Sequence, residues 1–255
     1  MKPIFLPQHH LKSPIAILSA LPEEQQGLVH AMSAVRTVTR AGREFSVGVL
    51  HGQPVVLALS RIGKVAAATT TATLLEHFGV GAVLFTGVAG GVGNGVHVGD
   101  VVLAMQFVQY DMDAAPLFPR FEIPLTGSML WPTDPVWSGR LLDAARGSLA
   151  GAQHNGRTVR VHQGLIATGD RFLCSTQQVH QLCADLAEAG LAPLAVEMEG
   201  AAVAQVCSDY GVPFAAVRTI SDRADDSAHV DFPQFVTTVA SVYAQRMVSA
   251  VLQAL

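Results

Sequence analysis

The sequence predicts one α/β domain with a mostly parallel, buried sheet. Short apolar segments, such as residues 15–21 and 82–86, alternate along the chain with longer segments of helical pattern. Continuous apolar runs of this length are typical of strands that are covered on both faces. Half of the 255 residues are hydrophobic, and no low-complexity segment or linker divides the chain. We therefore predict a domain at residues 14–255, preceded by an extension at residues 1–13.

Composition excludes several classes of protein. A net charge of −4 argues against a nucleic-acid-binding surface. No apolar run reaches the roughly 18 residues that a membrane span needs. The ten histidines are scattered, and the cysteines Cys174, Cys183 and Cys207 lack metal-ligand spacing, so no metal site is predicted. Three widely spaced cysteines are typical of free thiols in a reducing cytoplasm.

The remaining elements follow in alternation. Pro22 and the acids after it open a helix behind the first strand, and His51-Gly52 is predicted to join two strands as a hairpin. The strand at residues 82–86 leads into a glycine-rich loop at residues 87–95. The connection at residues 111–134 is long for a compact domain, and such connections are usually functional or interfacial. Further elements are predicted at residues 98–110 (strand), 138–149 (helix), 158–167 (strand), 177–189 (helix), 194–197 (strand), 200–210 (helix), 214–220 (strand) and 233–255 (helix).

Two carboxylates, Glu197 and Glu199, lie inside one of the most apolar stretches of the chain. They are predicted where a strand is followed by a helix, which is where open α/β sheets bind ligands. A structural alternative is that both carboxylates accept hydrogen bonds from N–H groups at the start of that helix. The pattern alone leaves both interpretations open.

The glycine-rich stretch at residues 87–95 invites comparison with a dinucleotide-binding loop. Such a loop must open a helix whose N-terminus faces the pyrophosphate. Here the glycines lead into another predicted strand, and no acidic residue follows at the expected place. We therefore predict no nicotinamide cofactor. The backbone N–H groups of the loop suit a sugar, a phosphate or a polarised water.

Acidic residues follow three separate strands: Glu24, the pair Glu197 and Glu199, and Asp222. Each alone is typical of a helix cap or a solvated loop. Together they line the carboxyl edge of the predicted sheet beside a glycine loop. This arrangement favours acid–base chemistry on a neutral or cationic organic substrate.

Six motifs in this order resemble the purine nucleoside phosphorylase/nucleosidase superfamily, and within it most closely the 5′-methylthioadenosine/S-adenosylhomocysteine nucleosidases. The resemblance extends from about residue 15 to the end of the chain. The motifs are SALPEE at residues 19–24, IGKVAA at 62–67, TGVAGG at 86–91, VGD at 98–100, VEME at 196–199 and RTISD at 218–222.

The resemblance implies a three-layer phosphorylase-type fold with a central mixed sheet flanked by helices, a homodimer and no cofactor. It implies hydrolysis of the bond between adenine and ribose in a small-molecule adenine nucleoside. Glu24, helped by Arg218, would polarise the attacking water, and Asp222 would protonate the adenine. Glu199 would bind the ribose hydroxyls, and Met198 would pack against the sugar.

The resemblance also implies the remaining substrate contacts. Phe172 would stack on the base, and the backbone of Leu173 would bind its edge. Ile62 and Phe232 would line a pocket for the 5′-thio substituent. The other implied substrate-binding positions are Val88, Ala89, Gly90, Glu197 and Ser221.

Two departures from the family pattern concern the nucleophile and the 5′ pocket. Val88 replaces a serine that many members have, and the phosphate-binding Gly-Asp-Pro pattern of the phosphorylases is absent, which favours water over phosphate. Ala114, Leu117 and Phe118 alter a loop whose tip reaches the neighbouring subunit's pocket in the family. The alternatives are a phosphorolytic enzyme and a non-catalytic adenosine-binding sensor.

Overall fold

The computed structural model describes residues 13–224 and 232–255. The predicted extension lies outside this part of the chain, apart from Ser13. The elements in order are β1 (Ile15–Ser19), α1 (Pro22–Ala31), β2 (Ser33–Arg40), β3 (Arg43–Leu50), β4 (Gln53–Leu59), α2 (Lys64–Phe78), β5 (Ala82–Gly91), β6 (Val101–Gln109), β7 (Leu130–Pro132), α3 (Pro135–Ser148), β8 (Gln153–His154), β9 (Arg157–Thr158), β10 (Val161–Thr168), α4 (Thr176–Glu188), β11 (Pro193–Glu197), α5 (Gly200–Tyr210), β12 (Phe214–Asp222), α6 (Phe232–Phe235) and α7 (Ser241–Gln253), with π-helical turns at residues 236–240 between the last two.

The central sheet has ten strands, in the order β11-β10-β6-β12-β5-β1-β4-β3-β2, with β7 paired to β6. Strand β11 also pairs with the far end of β5, so five strands form a closed ring. Parallel pairs such as β1–β5 and β10–β6 are mixed with antiparallel pairs such as β12–β6 and β2–β3. The mixed sheet implied by the resemblance is therefore confirmed, whereas the apolar pattern alone overestimated the parallel share.

Helices cover both faces of the sheet, and this explains the continuous apolar strands. In β1, Ile15 and Ile17 pack into a core that includes α3 and α7, while Ala16 and Leu18 pack into a second core with α2 and α5. Every residue of β1 is buried. A strand with water on one face would need polar residues at alternate positions.

The structure corrects two predictions about strands. Strand β2 was missed because nearly all of its residues are exposed at the sheet edge and its sequence lacks an apolar run. The predicted glycine loop is largely strand, because β5 continues to Gly91 and its glycines pair with β12 and β11. The predicted hairpin at His51-Gly52 is confirmed, as is the helix at residues 200–210. The long connection contains β7 near its end.

Two features are absent from the described residues. None of their helices is both long and apolar enough to cross a membrane. In the same part of the chain, no group of three or more His, Cys, Asp or Glu side chains is placed to hold a metal ion.

Candidate active site

An open cleft of about 770 Å³, a volume that includes solvent at its mouth, lies at the carboxyl ends of the central strands. It brings together most of the residues that the sequence predicted for a substrate site. The predicted residues that line it are Ile62, Val88, Ala89, Gly90, Phe172, Leu173, Glu197, Met198, Glu199, Ser221 and Asp222.

Glu24 lies directly behind the wall of the cleft. Its Oε2 accepts hydrogen bonds from the N–H groups of Ala20 and Leu21, both at 2.9 Å, and these two residues line the cleft. Its buried Oε1 makes no hydrogen bond to any residue that the structure describes. Burial raises the pKa of Glu24, opposed by the Leu21 N–H group and by the charge of Arg218. This carboxylate therefore has one oxygen that is fixed by two N–H groups and one buried oxygen without a hydrogen bond among the described residues.

Arg218 and Glu197 form a buried ion pair beneath the cleft. The Nη2 of Arg218 donates to Oε2 of Glu197 at 2.8 Å, and its guanidinium carbon lies 3.8 Å from the ring centroid of Phe85. Glu197 also accepts hydrogen bonds from the N–H groups of Glu199 and Gly200 at the start of α5. The structural alternative, in which a carboxylate accepts hydrogen bonds from N–H groups at the start of the helix, is therefore confirmed for Glu197. The same carboxylate also fixes the position of Arg218.

Glu199 lies at the same turn but faces a different element. Its Oε1 accepts a hydrogen bond from the Gly63 N–H at 2.9 Å, which ties it to the start of α2. Burial raises the pKa of Glu199, and the nearby negative charge of Glu197 raises it further. A carboxyl group in this environment can bind a hydroxyl group either as donor or as acceptor.

Asp222 ends β12 at the opposite wall. Its Oδ2 accepts a hydrogen bond from the Ser221 hydroxyl at 2.7 Å, and its Oδ1 accepts one from the Ala224 N–H at 2.7 Å. Both bonds fix the orientation of the carboxyl group toward the cleft that it lines. The carboxyl group is therefore fixed in an orientation in which it can contact a molecule bound in the cleft.

The glycines of β5 make room for these acids. A Cβ on Gly87 would lie 3.2 Å from Oε1 of Glu24, and one on Gly90 would lie 3.0 Å from Oδ1 of Asp222. Any side chain at these positions would therefore displace a carboxylate. This close approach explains the glycine-rich pattern without a dinucleotide.

We expect Gly90→Ala to lower the activity of this candidate site by roughly tenfold or more. Its new Cβ would lie 2.9 Å from the Cβ of Ala224 and would push Asp222 from its position. Gly139→Ala is the matched control, since nothing lies within 4 Å of that position in α3. Alanine should leave activity unchanged there and stabilise the helix by about 0.5–1 kcal/mol. Steady-state kinetics and thermal unfolding of both variants test this; equal activity in the two would contradict it.

Sequence reasoning missed several lining residues: Ala20, Leu21, Arg171, Val196 and Ala224. Arg171, Val196 and Ala224 are one or two positions from a predicted residue, whereas Ala20 and Leu21 precede Glu24 by four and three positions. The N–H groups of Ala20 and Leu21 hold Glu24, and the N–H group of Ala224 holds Asp222. An N–H group that orients an acid leaves no signal in the residue type, so only proximity in sequence could have indicated them.

Besides Glu24 and Arg218, which lie behind and beneath the wall, three predicted positions do not line the cleft. Ala114, Leu117 and Phe118 lie in the loop after β6, outside the cleft of this chain, and Leu117 is 83% exposed. Their predicted contact with a neighbouring subunit stays a prediction. The side chain of Phe232 is outside the part of the chain that the structure describes.

Comparison with known proteins identifies the family. The family model described as "Phosphorylase superfamily" matches residues 14–253. The chain belongs to the phosphorylase superfamily. A 5′-methylthioadenosine/S-adenosylhomocysteine nucleosidase of Shewanella putrefaciens is 34% identical over 241 residues, which cover 94% of this chain and 99% of that protein.

Solved structures of the superfamily agree with this assignment. A 5′-methylthioadenosine/S-adenosylhomocysteine nucleosidase from Neisseria meningitidis, in complex with methylthio-immucillin-A, is 33% identical with a TM-score of 0.86 and covers 95% of this chain and 100% of that one. A futalosine hydrolase of Helicobacter pylori is 32% identical with a TM-score of 0.83 and covers 95% and 98%. One of these similar proteins is named a nucleosidase and the other a hydrolase.

Proposed function

We propose that this phosphorylase-superfamily member hydrolyses the N-glycosidic bond of 5′-methylthioadenosine and S-adenosylhomocysteine. The products are adenine and a 5′-thio-ribose, and the reaction needs no cofactor. The observation that carries the proposal is one apolar-walled cleft with Glu199 and Asp222 on its surface and Glu24 directly behind it. The nucleosidase relatives support the substrate class.

The buried acids suit the transition state of this reaction. Cleavage of a glycosidic bond passes through a sugar with the character of an oxocarbenium cation. Carboxylates fixed beside that sugar stabilise the cation more than the neutral substrate, and this difference lowers the barrier. In this proposal the free Oε1 of Glu24 takes a proton from the attacking water, while Glu199 binds the ribose hydroxyls.

Asp222 is the proposed acid for the leaving group. As the bond to ribose breaks, its electron pair moves to the adenine, and a proton from Asp222 makes the base a stable leaving group. A positioned general acid contributes roughly 10²–10⁴-fold to the rate. Phe172 and Leu173, on the wall of the same cleft, are placed to hold the adenine ring.

The charge around the nucleophile's position favours water over phosphate. Glu24, Glu197 and Glu199 meet there, and Arg218 is already paired with Glu197. Among the described residues, a phosphate dianion would therefore find no cationic partner at this position that is not already paired. Among the described lining residues, Arg171 is the one cationic side chain, and Val88 offers no hydroxyl.

The proposal extends to the assembly and the compartment. Exposed apolar residues at the start of α2 and in the loop after β6, such as Ile62 at 61% and Leu117 at 83%, support a homodimer through this side. The loop would then complete the 5′ pocket of the partner subunit. The free thiols of Cys174, Cys183 and Cys207 support a reducing cytoplasm. There the enzyme would serve methionine salvage and the recycling of S-adenosylhomocysteine.

The test is adenine release from methylthioadenosine, S-adenosylhomocysteine, 5′-deoxyadenosine and futalosine, each with and without phosphate. We expect phosphate-independent release from the first two, and sedimentation of the same sample should give a dimer. Release that requires phosphate would assign the phosphorolytic alternative. Binding without any release would assign the sensor, and release from futalosine alone would change the substrate.

A further inference from the structure

One ammonium group outside the cleft connects three chain segments, two of which contribute residues to its walls. The Nζ of Lys64, at the start of α2, donates to Asp111 Oδ1 at 2.5 Å and to Gln109 Oε1 at 3.1 Å. It also lies 4.0 Å from Asp170 Oδ2. Gln109 and Asp111 are at the end of β6, and Asp170 follows β10.

Backbone groups close this cluster into a network. Asp170 Oδ1 accepts the N–H of Lys64 at 2.7 Å, and the N–H of Asp170 donates to Asp111 Oδ2 at 2.8 Å. Gly63 fits between them with a φ of +92°, and a Cβ there would lie 3.1 Å from Asp170 Oδ1. Each carboxylate therefore bridges a backbone group and the ammonium group.

The network is next to both walls that hold the substrate. On one side the N–H of Gly63, the residue before Lys64, holds Glu199. On the other side Asp170 directly precedes Arg171, Phe172 and Leu173, which line the cleft. The position of the ribose wall relative to the base wall therefore depends on the contacts of Lys64.

The exposure of these groups indicates positioning more than stability. The Lys64 side chain is 16% exposed, and those of Asp111 and Asp170 are 31% and 49% exposed. Ion pairs this accessible contribute little to the free energy of unfolding. Their geometric effect is larger, because displacement of a binding group by about 1 Å can cost a factor of up to about 100 in kcat/KM.

We propose that Lys64 is a positioning residue for the nucleoside: with Asp111 and Asp170 it sets the distance between the ribose-binding Glu199 and the base wall at Phe172–Leu173. This inference rests on the proposed function for its substrate. The network is not in contact with the reacting atoms. Its loss therefore weakens binding of ground state and transition state alike, which raises KM more than it lowers kcat.

The test is Lys64→Met, which keeps the length of the side chain and removes its charge, compared with Lys64→Arg. We expect the Met variant to raise KM for methylthioadenosine about tenfold with kcat within about threefold of wild type, and the Arg variant to recover most of the loss. Arg140→Met, which removes an exposed cation from α3, is the control and should leave KM unchanged. A double variant with Asp111→Asn should be no worse than Lys64→Met alone, since both break the same contact.

Two further readouts separate this inference from the proposed function and from a general loss of stability. Calorimetric binding of adenine needs no turnover. Because Asp170 directly precedes the base wall, loss of its contact with Lys64 should displace that wall and raise the Kd of adenine even if methylthioadenosine is not cleaved. Increasing salt should raise KM of the wild type and not of the Met variant, because the ion pair is screened. A Lys64→Met protein with wild-type KM and adenine Kd overturns the inference, as does a loss that appears only in kcat.

Discussion

Asp222→Asn is expected to lower kcat for adenine release by a factor of about 10²–10⁴, the contribution of a general acid. Asparagine has nearly the same shape as aspartate. Its Oδ1 can accept the Ala224 N–H, and its amide can donate to the Ser221 hydroxyl, so its contacts with these two residues are retained. The amide has no acidic proton for the leaving adenine. The fold and substrate binding should therefore persist while turnover is lost.

Ser221→Ala is the matched control for this variant. It removes the hydroxyl that donates to Asp222 and keeps the carboxyl group, so it tests orientation separately from proton transfer. We expect its kcat to fall less than that of Asp222→Asn. Circular dichroism and the Kd for methylthioadenosine should match the wild type in both variants. Turnover near the wild-type rate in Asp222→Asn would show that Asp222 is not the general acid.

The fold was predictable because buried strands have a strong composition signal. Apolar segments at β1, β5 and β12, separated by helical patterns, determine an α/β domain, and motif order adds the phosphorylase type. Strand β2 was not predictable in the same way, since an exposed edge strand such as Ser33–Arg40 buries no apolar face. The closed ring through β11 depends on tertiary contacts between β5 and β11, which no local pattern contains.

The sequence predicted which acidic residues come together in the site. It did not predict which groups each of them contacts. The sequence placed Glu24, Glu199 and Asp222 at one edge of the sheet. It did not distinguish Glu197, whose carboxylate is used by Arg218 and the start of α5, from Glu199, which faces Gly63. Glu197 and Glu199 contact different partners because the chain turns between the end of β11 and the start of α5. That difference depends on backbone geometry.

The glycines of β5 were the most misleading signal. A run of glycines usually indicates a loop, and here it lies in a strand. Its pattern follows from the side chains opposite, since Glu24 approaches Gly87 and Asp222 approaches Gly90. The glycines are needed because these carboxylates lie against them. This reason becomes visible only once the residues that pack against β5 are known.

Glu24→Gln is expected to reduce hydrolysis at least 100-fold while the Kd for methylthioadenosine changes little. Glutamine can still accept the N–H groups of Ala20 and Leu21 through its carbonyl oxygen. Its NH₂ group would occupy the place of the unpaired Oε1 and cannot take a proton from water. Glu24→Asp, which keeps the charge on a shorter side chain, is the control and should retain more activity. An equal loss of binding and of hydrolysis in Glu24→Gln would make Glu24 a positioning residue.

The same variant should become more stable than the wild type as pH rises. Burial raises the pKa of Glu24 in the folded protein above its ordinary value of 4.5. The folded state then holds this proton more tightly than the unfolded state, so its stabilising contribution is present below pH 4.5 and is lost as pH rises through the folded pKa. Glutamine does not ionise and avoids that loss. Thermal unfolding at pH 5 and pH 8 should therefore show a larger advantage for Glu24→Gln at pH 8, because the buried charge that the proposed reaction requires destabilises the fold.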